Sequence, residues 1–166
     1  MRRWIALALL LLSSPAGLAQ PAASVDLHPF LRGSWQTLRG LHKGQATIVH
    51  FWGITCGPCL AELPEWADLA RARPDLGLVL VDADPVPDAS AGIADTLVRD
   101  RLATVENWIF ADAFEERLRY EIDPHWHGEM PYTVLIARDG SVTSFVGQAD
   151  FARLRRWLDA QRRPPS

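Results

Sequence analysis

The sequence predicts a single α/β domain built on a central mixed β-sheet flanked by helices. Three observations predict it. Residues 46–52 and 77–82 are apolar, β-rich runs separated by a stretch of helical periodicity, the order of a right-handed parallel strand–helix–strand unit. Residues 132–136 and 141–146 are two further β-rich runs flanking Arg138-Asp139-Gly140, and Asp-Gly between such runs marks an antiparallel hairpin. The last stretch, about 150–161, presents Phe151, Leu154, Trp157 and Leu158 on one helical face.

In chain order, Met1-Arg2-Arg3 precedes an apolar run from Trp4 to Leu12, and Gly17 and Ala19 place small residues before a cut after Ala19. This is the pattern of a secretory signal over residues 1–19. The run is too short to span a bilayer, which takes about 20 apolar residues. No cysteine follows it to carry a lipid. Residues 20–32 read as an arm, and 33–162 as the folded domain. Cleavage leaves 147 residues, enough for one domain with a proper core.

Within the domain, residues 34–38 read as a short strand and 46–52 as a central one. A helix runs from the cysteines to about Arg73, with Leu60, Leu63, Trp66, Leu69 and Ala70 on its buried face and Pro64 bending it. Gly77-Leu78-Val79-Leu80-Val81-Asp82 suits a strand buried on both faces. Residues 90–103 read as a helix and 105–110 as a further strand. A short helix over 113–120 offers Phe114, Leu118 and Tyr120 to the core.

Composition excludes some functions. The chain is 48% hydrophobic and 22% charged, with a net charge of −3. Removing residues 1–19, which carry two arginines and no acid, takes this to −5. A nucleic-acid partner needs a clustered basic surface. The basic cluster here, Arg153, Arg155, Arg156, Arg162 and Arg163, reads as a solvated helix face near the C-terminal dipole.

The chain has two cysteines, three positions apart. A structural disulfide framework spreads several cysteines along a small chain, and closing so short a loop stabilises little. An exported chain with one C-x-x-C pair is therefore expected to use it for chemistry. Cys56 stands where a buried strand hands over to a helix. Free N–H groups and the macrodipole there favour a thiolate, the nucleophilic form. Cys56 is read as the attacking sulfur and Cys59, one turn on, as the resolving one. Pro58 fits the first helical turn. Zinc asks for four ligands, and no second C-x-x-C exists, so no metal is expected.

Val49-His50-Phe51-Trp52-Gly53-Ile54-Thr55-Cys56-Gly57-Pro58-Cys59 resembles the active-site segment of the thioredoxin superfamily. With Cys59-x-x-Glu62-x-Pro64 and the signal, the chain is similar to exported TlpA/ResA-type thiol-disulfide oxidoreductases over about residues 34–161. The resemblance implies a thioredoxin-like fold, a redox-active disulfide as the sole cofactor, and a cis-proline facing the cysteines. Met130-Pro131-Tyr132-Thr133 matches that proline, which would let a substrate backbone pair beside residue 130. Glu62 matches an acid such proteins keep near the disulfide. A buried carboxyl there would exchange the Cys59 proton, while the plainer reading is an exposed helix-face Glu. His50 stands where thioredoxin has a buried acid; it reads either as a proton relay near neutral pH or as a hydrogen-bonded core histidine. Thr55 replaces a common Trp and, with Gly57 and Pro58, forms the substrate rim. The segment 123–130 reads as a specificity lip with Trp126 as an apolar anchor.

The resemblance implies a periplasmic reductase of client disulfides, such as those of apocytochrome c or copper-site cysteines, recycled by a membrane electron donor. Membrane attachment is expected only through an uncleaved signal. A copper carrier using His125, His127, Met130 and the thiolates is the reading from another class. A net oxidant is a third.

Overall fold

The computed structural model describes residues 24–84 and 86–162; the predicted signal segment 1–19 lies outside the described residues. The elements are β1 (Leu27–Phe30), α1 (Ser34–Leu41), β2 (Thr47–Trp52), α2 (Gly57–Ala72), β3 (Gly77–Asp82), α3 (Ser90–Arg99), β4 (Glu106–Phe110), α4 (Glu115–Ile122), β5 (Tyr132–Ile136), β6 (Val142–Val146) and α5 (Phe151–Gln161). They build one six-stranded sheet in the order β1-β4-β3-β2-β5-β6. The first four strands in that order run parallel, and β5 and β6 join antiparallel.

Alternation along the central strands divides the core in two. Ile48, Trp52, Leu78 and Leu80 face α2, α3 and α5, meeting Leu63, Trp66, Ile93, Leu97, Phe151 and Leu154. Val49, Phe51, Val79 and Val81 face the other way, toward Trp35 and Leu38 of α1 and Leu118 and Ile122 of α4. With both faces covered, β2 and β3 are buried at every position, which is why they read as continuous apolar runs. The hairpin closes through Gly140, whose φ of 86° lies in the left-handed region that glycine adopts freely.

Four expectations are corrected. Residues 34–38 are not a strand but the start of α1, because Trp35 and Leu38, three apart, are buried together on its inner side. The arm 20–32 contains β1, an edge strand paired in parallel with β4. Helix α3 stops at Arg99: Arg101 turns to a φ of 61°, and the Leu102 amide donates to the Leu97 carbonyl at 2.7 Å. On α4 the core contacts are Leu118 and Ile122, while Phe114 and Tyr120 are 57% and 67% exposed. Pro64 stands inside α2, which continues as helix to Ala72.

Candidate active site

Strand β2 ends at Trp52, and the chain turns through Gly53–Thr55 into α2, with the Cys56 amide donating to the Gly53 carbonyl at 3.1 Å. Cys56 is the N-cap of α2, in extended conformation, and its Sγ accepts the Cys59 amide at 3.3 Å. Gly57 and Pro58 occupy the first helical positions, where a proline loses no helical hydrogen bond. Cys56 and Cys59 form a disulfide with S–S 2.01 Å. Cys59 is fully buried; Cys56 is half-buried beside the exposed Thr55, Gly57 and Pro58.

The Met130–Pro131 bond is cis. Since β5 pairs antiparallel to β2 with Tyr132 opposite Phe51, Met130 and Pro131 fall at the end of the sheet that carries the cysteine loop. Met130 packs in the same cluster as Ile54, Cys56 and Cys59. The structure therefore gathers Cys56, Cys59, Met130 and Pro131 at one end of the sheet, with Thr55, Gly57 and Pro58 as an exposed rim.

Three residues beyond Cys59, α2 turns Glu62 inward, only 4% exposed. Its Oε2 accepts the Ala149 amide at 2.9 Å and its Oε1 the Trp66 indole N–H at 3.4 Å. Burial raises the Glu62 pKa above the usual carboxylate range, against the opposing pull of those two donors. His50, fully buried on β2, lies with Nδ1 3.0 Å from the Thr133 hydroxyl and Nε2 3.2 Å from Glu62 Oε1. The latter approach is off the line of a hydrogen bond, so Nε2 has no hydrogen-bond partner. Burial pushes His50 down to about 3. Titration near neutral pH is thus corrected: the imidazole stays neutral, wedged between Thr133, Glu62 and the Trp66 ring, whose centroid is 4.7 Å away.

Trp126 is also corrected. It is 4% exposed, stacked on Tyr132 at 4.6 Å and 7°, and packed against Phe51 and Phe110 on the opposite face of the sheet. Its indole N–H donates to the Glu129 carbonyl. It is a core pillar of the 123–130 loop rather than an exposed anchor. That loop is fixed by Asp123, which accepts from the Tyr132 hydroxyl at 2.6 Å, the Ser144 hydroxyl at 3.2 Å and the His125 amide at 2.8 Å. The His125 side chain is 94% exposed. Among the described residues no group of three or more His, Cys, Asp and Glu is placed to hold a metal ion.

Sequence reading missed Asp82 and Asp84. Asp84 Oδ2 accepts from both the amide and the hydroxyl of Thr55, at 2.8 and 2.5 Å. A Cβ at Gly53 would sit 2.6 Å from the Cβ of Asp84, so only glycine permits this closeness. The available signal was a carboxyl ending an otherwise apolar strand, at the end of the sheet where the cysteine loop lies.

Fold and site together define a thioredoxin-fold protein carrying a C-x-x-C disulfide at the head of α2. Among solved structures, a secreted Mycobacterium tuberculosis disulfide oxidoreductase homologous to E. coli DsbE superimposes with a TM-score of 0.59 at 19% identity, over 73% of this chain and 85% of that one. StoA from Bacillus subtilis gives 0.54 at 25% identity, over 70% and 84%. In sequence, the chain is 42% identical over 45 residues to sporulation thiol-disulfide oxidoreductase A of Bacillus subtilis, which is 27% of each protein. It is 32% identical over 74 residues to thioredoxin-2 of Pyricularia oryzae, 45% of this chain and 43% of that one. The chain thus aligns with less than half the length of either curated relative. No family model matches.

Proposed function

We propose that the protein is an exported thiol-disulfide oxidoreductase that reduces disulfides of client proteins in the periplasm. The observation that carries the reading is the placement of half-exposed Cys56 as the N-cap of α2, with Cys59 buried one turn behind it. The helix N-terminus favours a thiolate on Cys56, and the cis Met130–Pro131 pair sits at the same end of the sheet. Gly57-Pro58 between the cysteines is the dipeptide of reducing thioredoxin. The N-terminal signal pattern supports export, and a relative described as secreted fits the same compartment.

In the reduced protein, the Cys56 thiolate attacks one sulfur of a client disulfide. That S–S bond breaks, a mixed disulfide forms on Cys56, and one client thiolate leaves. Cys59 then loses its proton to Glu62 and attacks the Cys56 sulfur, closing Cys56–Cys59 and freeing the second client thiolate. The client gains two electrons and, on protonation, two protons. Neutral His50 fills the space beside Glu62 without adding charge, so the carboxyl remains the acceptor. A membrane dithiol donor returns the electrons.

The test uses insulin as the disulfide substrate and a small dithiol as the electron source. The cleaved protein should accelerate insulin reduction, and Cys56→Ser should not. A wild-type protein with no effect on insulin would contradict the reading.

A further inference from the structure

Asp82 closes β3 with 1% exposure. Its registered neighbours are Trp52 on β2 and Ile109 on β4. Leu78 and Leu80, four and two residues earlier, face α2 and α3, so alternation turns Asp82 to the face that carries Cys59. One oxygen, Oδ1, accepts the Asp84 amide at 3.1 Å. The other oxygen, Oδ2, is buried with no partner. Asp84 in turn holds Thr55 by two bonds and lies against Gly53. Gly53 and Thr55, in the loop before Cys56, are thus tied to the exit of β3.

An unpartnered buried carboxyl oxygen is costly, and nothing in the exchange steps above uses it. Burial pushes the Asp82 pKa up to about 7, with the Asp84 charge adding to the rise and the Asp84 amide donor opposing it. The other buried ionisable groups on this face are Cys59, His50, Glu62 and, at the far end of α2, Arg73.

We infer that Asp82 is a positioning residue of the redox site, whose buried carboxyl holds Asp84, and through it the Gly53–Thr55 loop, and sets the charge felt by the Cys56 sulfur. The inference rests on the oxidoreductase reading. Ionised Asp82 opposes a thiolate on Cys56; protonated Asp82 does not. The oxidised site has no thiolate to oppose, so the charge on Asp82 shifts the dithiol–disulfide balance.

The experiment compares wild type, Asp82→Asn and Asp82→Ser as cleaved, pre-reduced proteins. Cys56 alkylation by iodoacetamide is followed from pH 5 to 9, and the redox equilibrium with glutathione is measured at pH 8. Asp82→Asn should shift the Cys56 titration to lower pH. It should also move the equilibrium at least threefold toward the dithiol, about 14 mV at 29.6 mV per tenfold. Asp82→Ser should do the same to the titration while also losing the loop anchor. A folded Asp82→Asn protein with the wild-type titration and equilibrium would overturn the inference.

Wild type supplies an independent reading that no folding defect can obscure. The Asp82 carboxyl carbon, followed by NMR, should titrate at higher pH in the reduced than in the oxidised protein; identical midpoints would also overturn the inference. Alkylation and NMR need no client. A protein that fails on insulin but shows the shifts loses the oxidoreductase reading and keeps the coupling, and the reverse result separates them the other way.

Discussion

Glu62 Oε1 lies 3.2 Å from His50 Nε2, with His50 fully buried and Glu62 4% exposed. Burial works on both in the direction of the neutral form: it raises the acid and lowers the base. Of the two, the carboxyl is therefore the group suited to carry a proton.

Glu62→Gln removes that carrier and preserves shape. The resolving step should slow by at least about tenfold near pH 7, since a positioned acid or base contributes roughly 10²–10⁴-fold. The sign follows from the raised Glu62 pKa: wild-type resolution should rise with pH as Glu62 loses its proton. The Gln variant should lack that rise. Stopped-flow decay of a Cys56 mixed disulfide gives both profiles.

His50→Leu replaces a neutral polar ring by an apolar side chain beside Glu62. The carboxyl then loses a polar neighbour, its pKa should rise further, and the resolving-step profile should move to higher pH with the fold retained. An unmoved profile would make His50 a packing residue only.

Cys59→Ser leaves the attacking sulfur without its resolving partner. Purified from oxidising cells, this variant should carry clients as mixed disulfides on Cys56, visible as reducible high-mass bands on non-reducing gels. Client-free protein would count against an exchange role.

Trp126→Ala should destabilise by about 3–5 kcal/mol, the cost of emptying a buried aromatic site. Urea unfolding should show this loss. The folded fraction should retain its exchange rate, because Trp126 packs on the face away from the cysteines.

Stability should carry the mark of Asp82. Its folded pKa, about 7, lies above the ordinary 3.8, so the folded state binds the proton more tightly. This contribution is fully present at pH below about 4 and is lost as pH rises through 7. The loss approaches ~1.4 kcal/mol per pH unit between those limits. Asp82→Asn should flatten this fall, leaving the variant the more stable protein at pH 8; parallel urea curves at pH 5 and 8 measure it.

Much of this site is legible in the sequence because local chemistry writes it. A buried strand passing into a helix at Cys56, and the Asp139-Gly140 turn, follow from hydrophobic pattern and turn residues alone. The cis bond at Pro131 came through resemblance, since nothing local favours it. The rest depends on tertiary partners. Ser34-Trp35-Gln36-Thr37-Leu38 is too short for its period to separate strand from helix, and packing of Trp35 and Leu38 decides. Trp126 looked exposed because a polar loop surrounds it in sequence, while the stacking partner Tyr132 and the distant Phe51 bury it. Asp82 and Asp84 gained their roles from contact with residues some 28 positions earlier, which no local pattern announces. His50 was placed correctly on β2, but its neutrality follows from a burial that sequence does not measure.

Whether Cys56 and Cys59 cycle as a reducing dithiol is read from their reduction potential in the cleaved protein. Equilibration across a dithiol buffer series, read by alkylation mass, gives the value. The potential should lie at or below roughly −230 mV, toward the thioredoxin end of the range. A potential above about −180 mV, where disulfide isomerase lies, or a pair that does not cycle at all, would contradict a reducing role.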